Sequence, residues 1–137
     1  MINDDEVFNI ILAKFPGFKD MCQEHLEYWG EEKAGLCNDM AVFSRYSINL
    51  LKEANKNISE LKDIFLFIEK CMLEGNDNVK DATATCFLEN IINATSWETI
   101  SSLNFVQLLG CESKKFCKAW DEFTGVKTEG LWHKDKE

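Results

Sequence analysis

Two groups of acidic residues have the types and spacing to do chemistry. Glu69, Glu74, Asp77, Asp81 and Glu89 surround one turn between helical stretches, and Glu27, Glu31 and Glu32 surround another. Carboxylates at this density can hold a hard cation, charge the ends and outer face of helices, or present a docking surface to a basic protein. The cation reading lacks the calcium-loop pattern, in which oxygen ligands alternate along the chain and end in Glu. Nor is there a Glu-x-x-His pair, the spacing by which helical folds place hard ligands around two metals. A carboxylate–metal hydrolase using Glu69, Asp77 and Asp81 therefore stands behind the binding readings.

Other catalytic material is scarce. His25 lies on an apolar stripe, where a hydrogen-bonded packing role outweighs ligation, and His133 lies near the end of the chain. Two histidines, with at most a His25 couple to Cys22 or Cys37, leave little for a nucleophile–base pair or an imidazole metal site. No glycine-rich phosphate loop occurs. The expectation is a protein that is not an enzyme and carries no cofactor or metal.

Cys22, Cys37, Cys71, Cys86, Cys111 and Cys117 include no C-x-x-C pair, and most stand beside Phe, Leu or Met. The opening Met1-Ile2-Asn3-Asp4-Asp5-Glu6 has neither the basic region nor the apolar run of a secretory signal. Together these features predict free core thiols in a reducing cytoplasm. On that expectation the Asn57-Ile58-Ser59 and Asn93-Ala94-Thr95 triplets have no glycosylation role, since that modification needs export.

Across 137 residues, 24 acids oppose 15 bases, a formal charge of −9, and Arg45 is the only arginine. Phosphate-backbone binding needs clustered Lys and Arg, so a nucleic-acid partner is disfavoured. The same imbalance would draw in a basic protein. No apolar stretch approaches the roughly 18 residues that a membrane span requires.

Helices must position these groups. The one proline is Pro16, and the glycines fall mostly where helical periods end. A first helix is expected from about Asn3, as its cap, to Lys14, and a second carries Phe18, Met21, Cys22, His25, Leu26 and Trp29. A third runs from about Glu32 to Ala54, with Leu36, Met40, Phe43, Ser47, Leu50 and Leu51 on one face. Asn57 to Glu60 has the form of a capping box. The helix that follows is apolar over more than half its girth, through Leu61, Ile64, Phe65, Phe67, Ile68 and Cys71, and should be central. A turn with capping side chains at 74–78 leads to a fifth helix through Val79, Ala82, Cys86, Phe87, Ile91 and Ile92. Ser96 is expected to cap a helical segment from Trp97 to about Leu109, broken near Asn104, with Gly110 closing it in the left-handed conformation. A last helix carries Phe116, Cys117, Trp120 and Phe123 and stops at Gly125.

The prediction is an all-α fold of six or seven antiparallel helices, either a compact bundle or a short HEAT-like stack of helical hairpins. A single domain should cover 1–125, followed by a polar tail at 126–137. With 45% hydrophobic residues, ten Phe and four Trp, the chain can fill one core without staples.

Several short motifs carry a resemblance. Phe15-Pro16-Gly17-Phe18, Glu24-His25-Leu26-Glu27-Tyr28, Phe67-Ile68-Glu69 with Glu74, Val79, Phe87-Leu88-Glu89, Leu108-Leu109-Gly110-Cys111-Glu112-Ser113 and Trp120 resemble a family of small all-helical bacterial proteins of mostly unassigned function. Some of its members are immunity proteins of toxin systems, including contact-dependent growth inhibition. Cys111 stands where the family pattern has proline. The resemblance spans about residues 15 to 123 and implies a cytoplasmic protein that binds and neutralises a cognate toxin, often a nuclease, without catalysis of its own.

The net charge suits that use, because an acidic surface can occupy the basic substrate cleft of a nuclease. The expected interface is Glu69, Glu74, Asp77, Asp81 and Glu89, with Glu27, Glu31 and Glu32 second. Glu69 and Glu89 have two readings: paired with Arg45 or a lysine inside the bundle, or exposed to a partner. The alternative function is a helical scaffold or adaptor for another host protein.

Overall fold

The computed structural model describes residues 1–23, 27, 35–97 and 100–132. Seven α-helices and no β-strand occur among them: α1 (Val7–Lys14), α2 (Pro16–Met21), α3 (Leu36–Leu51), α4 (Ile58–Glu74), α5 (Asp77–Thr83), α6 (Glu89–Ser96) and α7 (Cys111–Thr124). The all-α expectation holds. His25, Glu31, Glu32 and His133 lie outside the described residues.

The long helices follow the apolar stripes. On α3, Met40, Phe43, Ser47 and Leu51 recur at three- and four-residue steps and are all buried. Helix α4 buries Leu61, Ile64, Phe65, Phe67, Ile68 and Cys71, a face too wide for one neighbour, and it packs on α3, α5 and α7. It is central, as its pattern requires. Rings join the elements through the middle of the core: Phe43 lies 5.1 Å from Phe18 and 5.4 Å from Phe87, and Phe65 lies 6.0 Å from Phe87 and 6.2 Å from Phe105. Such pairs add about 0.5–1.5 kcal/mol each beyond the area they bury.

Several boundaries differ from the sequence pattern. Asn3 does not cap α1, which begins at Val7. Instead the chain start is extended: Ile2 makes a parallel bridge to Gly75, donating to the Glu74 carbonyl at 2.8 Å and accepting from Asn76 N at 2.9 Å. The capping box at Asn57 does not form. Its amide turns back to the Leu50 and Glu53 carbonyls, both at 3.1 Å, while the Glu60 carboxylate accepts from the Tyr46 hydroxyl. Tertiary donors and acceptors outcompete the local pair. The turn at 74–78 behaves as expected, with Asn76 Oδ1 accepting from Val79 N at 2.9 Å.

The segment expected as a helix from Trp97 to Leu109 forms two 3₁₀ turns, Ser102–Asn104 and Val106–Leu108. Ser101, not Ser96, supplies the side-chain cap there, accepting from Leu103 N. Gly110 is not left-handed, with φ −78° and ψ −179°, and it precedes α7 as its N-cap rather than closing a helix. Gly125 ends α7 at φ +80°, a backbone that glycine adopts without the Cβ penalty.

Helices α5 and α6 are two parts of one rod joined by a π-helical turn, Ala84–Leu88, in which Glu89 N donates to the Ala84 carbonyl five residues back. The Asn90 side-chain amide donates to the Cys86 carbonyl at 2.9 Å and to the Ser44 hydroxyl of α3 at 3.1 Å. Beside this bond, Cys37 of α3 and Cys86 form a disulfide with Cα atoms 5.4 Å apart. The expectation of six free thiols is therefore corrected for this pair, whose 49-residue separation carries no local signature. Cys22, Cys71 and Cys117 are free and buried, and Cys111 is free and exposed. Disulfides persist mainly in oxidising compartments, so the cysteines no longer argue for a reducing one.

The segment after Gly125 packs against the bundle as far as it is described. Thr128 is 4% exposed and Leu131 2%. Asp121, 1% exposed on α7, accepts from Thr128 N at 2.8 Å, from Thr128 Oγ1 at 2.8 Å and from Trp132 Nε1 at 2.7 Å. The Ser102 hydroxyl donates to the Glu129 carbonyl at 2.7 Å. The expected tail is thus bound through residue 132. No described helix is long and apolar enough to cross a membrane.

Candidate functional site

The structure divides the expected interface residues. Glu74, Asp77 and Asp81 are exposed where α4 turns into α5, with Asp77 and Asp81 four residues apart on one helix face. The bridge between Ile2 and Gly75 brings up a turn of acids that the sequence pattern did not connect to them. Asp4, Asp5 and Glu6 follow directly and are exposed. Asp4 Oδ1 accepts from Asn76 Nδ2 at 3.1 Å and Oδ2 from Asn78 Nδ2 at 3.3 Å, tying the two segments together. These side-chain hydrogen bonds, from Asn76 first and Asn78 second, hold the Asp4 carboxyl below its ordinary range.

The result is an acidic end made of Asp4, Asp5, Glu6, Glu74, Asp77 and Asp81. The ion pairs seen among the described residues, Lys56 with Glu53 and Lys115 with Glu112, lie elsewhere. Lys80, between Asp77 and Asp81 in sequence, is the nearest cation along the chain. No three Asp, Glu, Cys or His side chains among the described residues converge as a metal cage would. The group forms an extended negative surface. At low salt such a surface accelerates encounter with a basic partner, and the effect falls off over about 10 Å at 0.1 M salt.

Glu69 belongs to a different structure. Its carboxylate accepts from Glu112 N at 2.9 Å, Ser113 N at 2.9 Å and Ser113 Oγ at 2.8 Å, so it caps the first turn of α7 from another helix. Burial works to raise its pKa, and the three donors outweigh that to leave it lowered. Gly110 makes the approach possible, because a Cβ there would collide with the Glu69 carboxyl group. Glu69 is thus bound to the start of α7 and not to Arg45, which is exposed. Glu89 is half-buried and accepts no hydrogen bond from any described residue, and burial raises its pKa. Glu27 is exposed and accepts from Gln23 Nε2 at 3.2 Å.

Two other surface features stand apart from the acidic end. An open groove of about 300 Å³ between the end of α1 and α4 is lined by Lys14, Phe15, Asp63, Leu66, Phe67 and Lys70. On the α6–α7 side, Trp97 is 79% exposed and Phe123 81%, and Trp120 stacks on Phe123 with centroids 5.6 Å apart. Trp120 Nε1 donates to Asn93 Oδ1 at 3.2 Å. Of the apolar residues that the sequence pattern groups on this last helix, Cys117 is buried, Phe116 and Trp120 are half-buried and Phe123 is exposed.

The remaining thiols offer no nucleophile in the core. Burial pushes Cys71 and Cys117 up to about 12, so both stay protonated.

Fold and surface together define a small helical bundle with a carboxylate-rich end. Residues 8–125 match the model of a domain of unknown function, DUF7674, and the chain belongs to that family. No curated protein and no solved structure matches it.

Proposed function

We propose that this chain works by binding a basic protein through its acidic end, and that the partner is a toxin which it neutralises. The observation that carries the reading is the joining of Asp4, Asp5 and Glu6 to Glu74, Asp77 and Asp81 across the Ile2–Gly75 bridge. Six exposed carboxylates on two segments are fixed there by backbone and asparagine hydrogen bonds. None of the six forms an ion pair with a described residue, and Lys80 is the one cation between Glu74 and Asp81 in sequence, so a net negative charge is displayed, which suits recognition of a cationic cleft. The toxin, rather than some other basic protein, rests on the resemblance to immunity proteins set out above.

Electrostatic blockade needs no catalysis. The acidic end would enter a basic substrate cleft, and the rigid bundle behind it would exclude substrate. Co-expression with the product of an adjacent toxin gene tests this: the chain should restore growth, and the two proteins should co-purify at low salt. Growth arrest despite good expression of the chain, with no co-purification, would refute the toxin reading.

A further inference from the structure

We infer that the Cys37–Cys86 disulfide and the π-helical turn form a redox-responsive latch between α3 and the α5–α6 rod. The two sulfurs are unlike in setting: Cys37 is exposed, one residue inside the start of α3, while Cys86 is 7% exposed in the middle of the widened turn. Thiol–disulfide exchange begins at a sulfur that a thiolate can reach, which here is Cys37.

The latch is one of two pins on the turn. The other is the Asn90 amide, which joins the Cys86 carbonyl to Ser44. Cys37 and Ser44 are seven residues apart on α3 and share a face, so both pins act along one stripe. Single π turns inside helices are frequent at functional positions, because the extra residue keeps them adjustable. With the disulfide opened, the Asn90 amide and the packing of Phe87 on Phe43 remain to hold the widened turn to α3, without a covalent tie.

Opening requires a thiol reductant, and a dithiol completes it in two steps. One thiolate attacks Cys37 Sγ and forms a mixed disulfide, while Cys86 leaves as a thiolate and takes up a proton. The second thiol of the reductant then attacks its own sulfur in the mixed bond, releasing Cys37 as a thiol and closing the reductant to a disulfide. Two electrons and two protons pass to the protein.

Dithiothreitol added to the native chain without denaturant provides the test, with alkylation and mass analysis reporting the bond and amide hydrogen exchange reporting the turn. The expected result is alkylation of Cys37 and Cys86 in the folded protein, with exchange across 84–90 accelerated at least tenfold and exchange in α7 unchanged. Cys37→Ser should reproduce the faster exchange without reductant, and the reduced wild-type chain gives the same reading if that variant folds poorly. A bond that yields only when denaturant is added, or one that opens with exchange at 84–90 unaltered, would overturn the inference.

Discussion

The carboxylates of Glu69 and Asp121 differ from those of Glu74, Asp77 and Asp81 in what meets them. Each of the first two is met by three donors from outside its own helix: the start of α7 for Glu69, and Thr128 and Trp132, just beyond the end of α7, for Asp121. The second set lies at the surface, where Glu74, Asp77 and Asp81 accept no described side-chain bond. One residue type therefore performs two tasks. Donors supplied by the fold make a carboxylate a structural clasp, and their absence leaves its charge available to another molecule.

The largest expected effect lies on the clasp side. Asp121→Ala would leave three donors unpaired in a buried site and should lower stability by about 3 kcal/mol. Urea denaturation checks this, and exchange at residues 128–132 should rise in parallel. Next comes Gly110→Ala, which pushes a methyl group into the Glu69 carboxyl and should cost about 2 kcal/mol. Glu69→Ala in the same background should add much less than its effect alone, because both changes break one clasp.

The pH dependence separates Glu69 from Glu89. Glu69 has a folded pKa below its ordinary 4.5, so its stabilisation is complete above that value and is lost as pH falls through the lower folded value. Glu69→Gln should therefore flatten the acid limb of a stability profile. Glu89 has the opposite sign. Its folded pKa is raised above 4.5, so its contribution is most favourable below that value and declines as pH rises through the raised one. Glu89→Gln should raise the urea midpoint at neutral pH, because it removes the charge that burial disfavours. A midpoint lowered at pH 7 would show that a donor reaches Glu89 after all.

The smallest stability effect belongs to the acidic end. Lysine at Asp77 and Asp81 should change stability by no more than about 0.5 kcal/mol each, since both side chains face water. Their effect should appear in association instead.

What the sequence made legible follows from range. The apolar stripes of α3 and α4, the buried thiols Cys22, Cys71 and Cys117, the Asn76 cap and the stop at Gly125 are all set within a turn or two of helix. The features that mattered for the site close over long distances. Ile2 meets Gly75, Cys37 meets Cys86, and Glu69 meets Ser113, and none of these pairings leaves a periodic mark. Gly110 is instructive, because a glycine between an apolar run and Glu112-Ser113 can equally end one helix or admit a carboxylate to the next. Only the position of α4 decides. Asn57 failed for a related reason: its local capping geometry competed with other partners, the Leu50 and Glu53 carbonyls for its amide and Tyr46 for Glu60, and lost.

Three of the five residues expected in the leading interface, Glu74, Asp77 and Asp81, stand on the acidic end, and Asp4, Asp5 and Glu6 were missed. Their run of three acids at the chain start was visible, but its place beside residue 75 was not. Glu69 belongs to the clasps, and Glu89 to neither group.

One measurement bears most directly on the division between the two kinds of carboxylate: the association rate of the chain with the basic partner proposed above, across a salt series. Wild type, Glu69→Gln and the combined Asp5→Lys, Glu74→Lys, Asp77→Lys, Asp81→Lys variant would be compared. The account predicts that the fourfold reversal slows association at least tenfold at low salt and flattens its salt dependence while the urea midpoint holds, and that Glu69→Gln shifts the midpoint and leaves the rate alone. Equal rates for wild type and the fourfold variant, or a slowed rate for Glu69→Gln in the folded protein, would contradict it.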